Sequence, residues 1–207
     1  MAYIAKTAFE VKVSNHEFDA VANITGVFEN GSQTAEICSA GFLCTRKELT
    51  VCEGYDKVGP SDGQVTLNNG NTWKMIAATD GAVTATPIYA CNTFGVNEVT
   101  DPVTGAIYKV GSNTLGLPIP AGKPGTFTQI HFDGSHIYRF GIGNLNGAIS
   151  TNKFFTIADG LLVPTASAPT KAGQPYFQLV GTGNFTVGAY NGETYYDVLA
   201  MTGVAGA

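Results

Sequence analysis

Short runs in which apolar residues alternate with Thr, Asn and Gly recur along this 207-residue chain, each closed by Gly, Asn, Asp or Pro. No window of a dozen residues carries apolar residues at the 3.6-residue period of a helix. A two-residue period sends alternate side chains to opposite faces of a strand. The chain is therefore expected to be all-β, an antiparallel β-sandwich or barrel-like body with long loops and very little helix. Strands are read at 9–13, 20–28, 34–38, 42–52, 64–67, 72–78, 88–91 and 107–110. Further strands are read at 126–132, 136–142, 153–157, 176–180, 184–189 and 194–201. A chain of this length buries roughly 70% of its unfolded surface, so its stability requires neither disulfides nor metals.

The turns give the sharpest local expectations. Asp133-Gly134 reads as a type I′ hairpin turn that sets His131 opposite His136, Ile130 opposite Ile137 and Phe127 opposite Phe140. Asn69-Gly70 and Asn191-Gly192 give similar signals. Between Gly116 and Gly125 three prolines, Pro118, Pro120 and Pro124, remove ladder donors, so this segment is read as an extended surface connection. Residues 1–14 read as an N-terminal arm or edge strand, 15–162 as a main β domain and 163–175 as a Pro-, Ala- and Thr-rich linker. Residues 176–207 then form final strands packing on the main body, with one domain overall as the alternative.

Charge narrows the function classes. Only 13% of the residues are charged, against about 25% in an ordinary domain, and the formal net charge is −5. The 11 Lys and Arg are scattered rather than gathered in a stripe, which argues against a nucleic-acid partner. The opening Met-Ala-Tyr-Ile-Ala-Lys lacks the pattern of a secretory signal, so synthesis in the cytoplasm is expected, and no apolar run has the length of a membrane-spanning helix. Cys38, Cys44, Cys52 and Cys91 contain no CxxC pair and read as small buried hydrophobes, with a disulfide formed after release from the cell as the alternative.

The chain offers little to an enzyme. His131, Asp133 and His136 form the densest group of candidate ligands, but a turn role for Asp133 and two histidines on a ribbon account for them without a metal. There is no Gly-x-Ser-x-Gly elbow. The stretch from Gly116 to Lys123 misses the phosphate-loop spacing, and Gly141-x-Gly143 lacks the third glycine of a dinucleotide site. Glu29, Glu36, Asp56, Asp62 and Asp80 mostly lie beside turn residues. No catalytic, cofactor-binding or metal-binding residue is assigned, and the chain is read as a non-enzyme without a cofactor. Trp73, Tyr55, Tyr89, Tyr190, Tyr195 and Tyr196 define the alternative of a sugar-stacking surface and, with it, surface glycans as partners.

Ile24-Thr-Gly-Val-Phe-Glu-Asn-Gly-Ser32, a strand entering an Asn-Gly turn and followed by the strands from Thr34 to Cys52, resembles the opening of small bacteriophage capsid decoration (cement) proteins. The similarity covers about the first two thirds of the chain, and residues after Ala148 read as appended strands. The resemblance implies a structural virion protein on the capsid surface that bridges major capsid subunits, forming a homo-oligomer, commonly a trimer. It transfers no active-site residue. Glu29-Asn30-Gly31 is given a conformational role, with Gly31 supplying a positive φ. Alternatives are a tail-tube or fibre protein, for which 126–142 and 111–125 are the joining segments, and a carbohydrate-binding adhesive module.

Charge-poor surfaces are typical of permanent contacts. Residues 81–97, 140–152 and 172–192 contain no Asp, Glu, Lys or Arg, and at least one of these runs is expected to face another subunit.

Overall fold

A computed structural model describes residues 4–13, 23–32, 34–46, 64–67, 70–79, 87–92, 98–100, 107–109, 118–186 and 191–203. In chain order its strands are β1 Phe9–Val13, β2 Asn23–Phe28, β3 Leu43–Arg46, β4 Gln64–Leu67, β5 Gly70–Ala77, β6 Ile88–Asn92 and β7 Glu98–Thr100. They continue with β8 Ile107–Lys109, β9 Gly125–Gln129, β10 Ile137–Gly141, β11 Phe154–Ala158, β12 Leu161–Thr165, β13 Pro175–Asn184 and β14 Thr194–Thr202. Helix among the described residues is confined to a 3-10 turn at Ile142–Asn144, so the all-β expectation holds.

Two six-stranded sheets carry the fold. One runs β1-β10-β14-β13-β11-β12 and is antiparallel throughout. The other runs β2-β9-β6-β3-β5-β4 and closes on itself through a parallel β2–β5 pairing, giving a five-stranded barrel with β4 as a flap. β7 and β8 form a separate antiparallel ribbon.

Alternation decides which sheet lies against what. In β3 and β6, Cys44, Tyr89 and Cys91 fill the barrel with Phe28, Phe42, Met75, Ile119 and Phe127. The intervening Leu43, Ile88 and Ala90 point outward and are buried with Phe9, Tyr138, Phe140, Phe155, Phe177 and Val198 of the other sheet. The open sheet thus packs on the barrel wall, and β6 is buried on both faces from Ile88 through Cys91. Asn144 fastens the junction: its amide oxygen accepts from the N–H groups of Ala8 and Gly141, and its nitrogen donates to Ala40 O at 2.8 Å.

Several expectations are corrected. Residues 126–132 and 136–142 do not form a hairpin: β9 pairs with β2 and β6 in the barrel, whereas β10 pairs with β1 and β14. Asp133-Gly134 is the link between the two sheets. Gly134 has a positive φ of 77° but Asp133 does not, so the turn is not type I′. Consecutive positive φ values of 48° and 77° occur at Asp159-Gly160, the two-residue turn between β11 and β12. β12 lies where the linker was expected to begin. Its Pro164 is tolerated because β12 is an edge strand, and β1, β10, β13 and β14 join one sheet across the supposed boundary.

Residues 34–38 contribute isolated bridges at Ala35 and Cys38 rather than a strand. The proline-rich segment is not wholly on the surface: Ile119 bridges Cys38, is buried in the barrel, and occupies the space a side chain at Gly125 would need. Of the strand read at 184–189, Asn184 ends β13 and Phe185 and Thr186 belong to no strand, while 187–190 lie outside the described residues. The β4–β5 hairpin forms with Leu67 opposite Gly70, its turn residues lying outside the described ones.

Candidate interface

His131, Asp133 and His136 do come together. The imidazole rings stack with centroids 4.9 Å apart, and Asp133 Oδ1 lies 3.0 Å from His136 Nδ1 while accepting from the Ser135 N–H and hydroxyl. Partial burial pushes the Asp133 carboxyl up, but hydrogen bonds from His136 and Ser135 outweigh it and hold the group well below the usual carboxylate range. The cluster fixes the crossing between sheets. Among the described residues no group of three His, Cys, Asp or Glu side chains is arranged to hold a metal ion.

Cys38, Cys44 and Cys91 are free and buried in the barrel, with Cys91 Sγ donating to Cys38 O at 3.4 Å. Burial pushes all three thiols up, away from the thiolate a nucleophile requires. Cys52 lies outside the described residues. Gly141 and Gly143 serve packing, because a Cβ on either would strike the backbone of residues 5–8.

The Glu29-Asn30-Gly31 turn is built differently from expectation. Gly31 has no positive φ. Asn30 holds the turn instead: its Oδ1 accepts from the N–H groups of Ser32 and Thr34, and its Nδ2 donates to Glu36 Oε1 at 2.6 Å. Glu29 faces the outside of the barrel wall, where its Oε2 lies 3.0 Å from Lys74 Nζ, with both side chains almost fully buried. The contact is within ion-pair range but lacks hydrogen-bond alignment, since Oε2 has no hydrogen-bond partner. Asp56, Asp62 and Asp80 lie outside the described residues.

The four described aromatic residues of the sugar-stacking reading, Trp73, Tyr89, Tyr195 and Tyr196, do not share a surface. Trp73 packs against the barrel core under the Arg46 guanidinium, 4.0 Å from its ring centroid, and Tyr89 is buried in that core. Tyr195 lies beneath Arg139 at 3.5 Å, while Tyr196, on the opposite face of β14, packs against the inter-sheet core. Tyr55 and Tyr190 are outside the described residues.

Two of the three uncharged runs approach one another. β10 ends at Gly141 opposite Tyr195, and β13 reaches Asn184 opposite Thr194, so residues 140–152 and the β13–β14 hairpin meet at one end of the open sheet. The exposed large hydrophobic residues of the described structure are Ile142, 38% exposed, and Val180, 49% exposed, one in each run. Lys6 pairs with Glu193 at 3.0 Å and Arg139 bidentately with Asp197 at 2.7 and 2.9 Å, while the exposed Lys153 lies beside Leu179. Such a neutral, partly apolar surface suits contact with protein. Of the third run only 87–92 is described, and there Ile88–Cys91 are buried within the molecule. The chain matches no known family model, and no curated protein or solved structure shows significant similarity to it.

Proposed function

We propose that this chain is a structural virion protein that binds the outside of a phage head as a decoration protein and works through surface contact without chemistry. The observation that carries the reading is that two uncharged runs of the open sheet each leave an apolar side chain exposed, Ile142 after β10 and Val180 within β13. The resemblance of the stretch from Ile24 to Ser32 supplies the identity of the partner, a major capsid subunit. A tail-tube role loses support, because one of its joining segments, 126–142, is split between two sheets.

The test is addition of purified protein to expanded capsids lacking it, followed by electron microscopy and sedimentation of the shells. Density on the outer surface at regular lattice positions, lost with Ile142→Asp, is the expected result. Shells that remain bare at saturating protein, or protein located in the tail, would overturn the proposal.

A further inference from the structure

The sheet order leaves one edge uncovered in mid-strand. β11 pairs with β13 at Phe177 and Gln178, and the Leu179 N–H donates to Lys153 O. Beyond that point β13 continues through Val180-Gly181-Thr182-Gly183-Asn184, with β14 on one side and no partner strand on the other among the described residues.

The direction of the free groups follows from the ladder. The Phe185 N–H donates to Glu193 O across the hairpin. Backbone groups alternate along an antiparallel pair, so Gly183 and Gly181 also point toward β14, opposite Tyr195 and Asp197. Thr182 and Asn184 therefore aim both their N–H and C=O groups outward. A register shift between Leu179 and Gly181 absorbs the extra residue, and Val180 is left 49% exposed.

Natural proteins guard such an edge with Lys, Pro or an inward charge. None occurs in 180–184, and the uncharged run extends from 172 to 192. We infer that this edge pairs with the same edge of a second copy, antiparallel, joining two six-stranded sheets into one continuous sheet. A two-fold axis through Gly183 places Thr182 of each copy opposite Asn184 of the other. Each such pair exchanges two hydrogen bonds, and glycine stands where the backbones approach most closely. The same register covers Val180 with the exposed Thr186. No charge opposes a like charge across the junction, so two copies of this edge are electrostatically compatible. The contact is small, and the pair is accordingly weak and concentration-dependent in solution. It closes as a two-fold dimer rather than the trimer implied by the family resemblance. The inference rests on the reading of an assembling protein but not on capsid attachment.

Sedimentation equilibrium of the full chain up to ~500 μM tests it, this being the range in which contacts of this size associate. The expected result is a monomer–dimer equilibrium, with the Thr182 and Asn184 amides gaining exchange protection as concentration rises. Thr182→Pro deletes an outward N–H and takes from the hairpin only the bond of the Thr182 hydroxyl to Tyr195 O, while two of the four junction bonds are lost. Association weakens by roughly 30-fold, at about five- to tenfold per neutral hydrogen bond. Val180→Lys places a charge on the edge, leaves the backbone untouched and weakens association too. It decides the matter if the proline variant misfolds. A chain that stays monomeric throughout, a trimer, or a dimer indifferent to Val180→Lys would overturn the inference. Capsid binding, scored separately with Ile142→Asp, reports on the function proposed above and leaves this result unaffected.

Discussion

Removing one member of the buried Glu29–Lys74 pair should destabilise the protein far more than removing both. At 3.0 Å the attraction amounts to about 5–6 kcal/mol with an effective dielectric constant of ~20. Much of that is offset by stripping water from two ions whose side chains are 5% and 2% exposed. The pair is therefore nearly neutral against an apolar pair of the same volume, whereas Lys74→Met leaves the Glu29 carboxylate buried, with an oxygen that already lacks a hydrogen bond. That variant should lose about 3–5 kcal/mol, a large share of the ~5–15 kcal/mol that a domain possesses. Glu29→Leu should lose a comparable amount, and the double variant should return to within ~1–2 kcal/mol of the parent. Guanidinium unfolding followed by fluorescence suits the measurement, since the single tryptophan, Trp73, adjoins Lys74 in β5. Single variants that each cost under ~1 kcal/mol, or a double variant no better than the worse single one, would refute the assignment of a desolvated ion pair.

Three further outcomes are expected. Asn144→Ala should cost about 2–3 kcal/mol in chemical denaturation, because it leaves the Ala8 N–H and the Ala40 carbonyl without partners at the junction of sheet and barrel, the Gly141 N–H keeping only its bond to Ala8 O. Asp133 is held below the usual carboxylate range in the folded state, so its contribution is complete above the unfolded pKa of about 3.9 and fades as pH falls toward the depressed value. The difference in melting temperature between the parent and Asp133→Asn should accordingly narrow below about pH 4. Cys38, Cys44 and Cys91 should resist a thiol-modifying reagent until the barrel unfolds, and mass spectrometry of modified peptides in native and denaturing buffer checks this.

What the sequence revealed and what it concealed follow from the range of each interaction. β1 and β4 coincide with their expected limits because local alternation and flanking turn residues define a strand. Pairing partners are another matter. Alternation around Asp133-Gly134 is as regular as a hairpin requires, yet Phe127 and Phe140 belong to different cores, because β9 finds better partners in the barrel. Asp159-Gly160 carries the same dipeptide and does form the tight turn. Its second strand, β12, runs into the Pro-, Ala- and Thr-rich composition of a linker, and Pro164 is compatible with a strand only because β12 lies at an edge. In the candidate interface, the exposed Ile142 and Val180 each fall in a run without charge. That Val180 borders an open edge depends on where β11 stops pairing, and no local pattern encodes that.

The scarcity of charge thereby acquires two causes that a composition cannot separate. β3 and β6 are walls shared by two cores: Leu43, Ile88 and Ala90 face the open sheet while Cys44, Tyr89 and Cys91 face the barrel, and neither side has room for an ion. A chain that buries strands on both faces needs fewer charged residues than one whose strands present one face to water. This accounts for 87–92 within the first uncharged run without invoking any partner. It accounts as well for Phe140, Asn144, Leu145 and Ile149, which lie in or against the inter-sheet core, but not for Ile142 or Val180, which stay exposed. Interior burial explains charge missing from the shared wall, and the proposed assembly bears only on the charge missing around Ile142 and Val180.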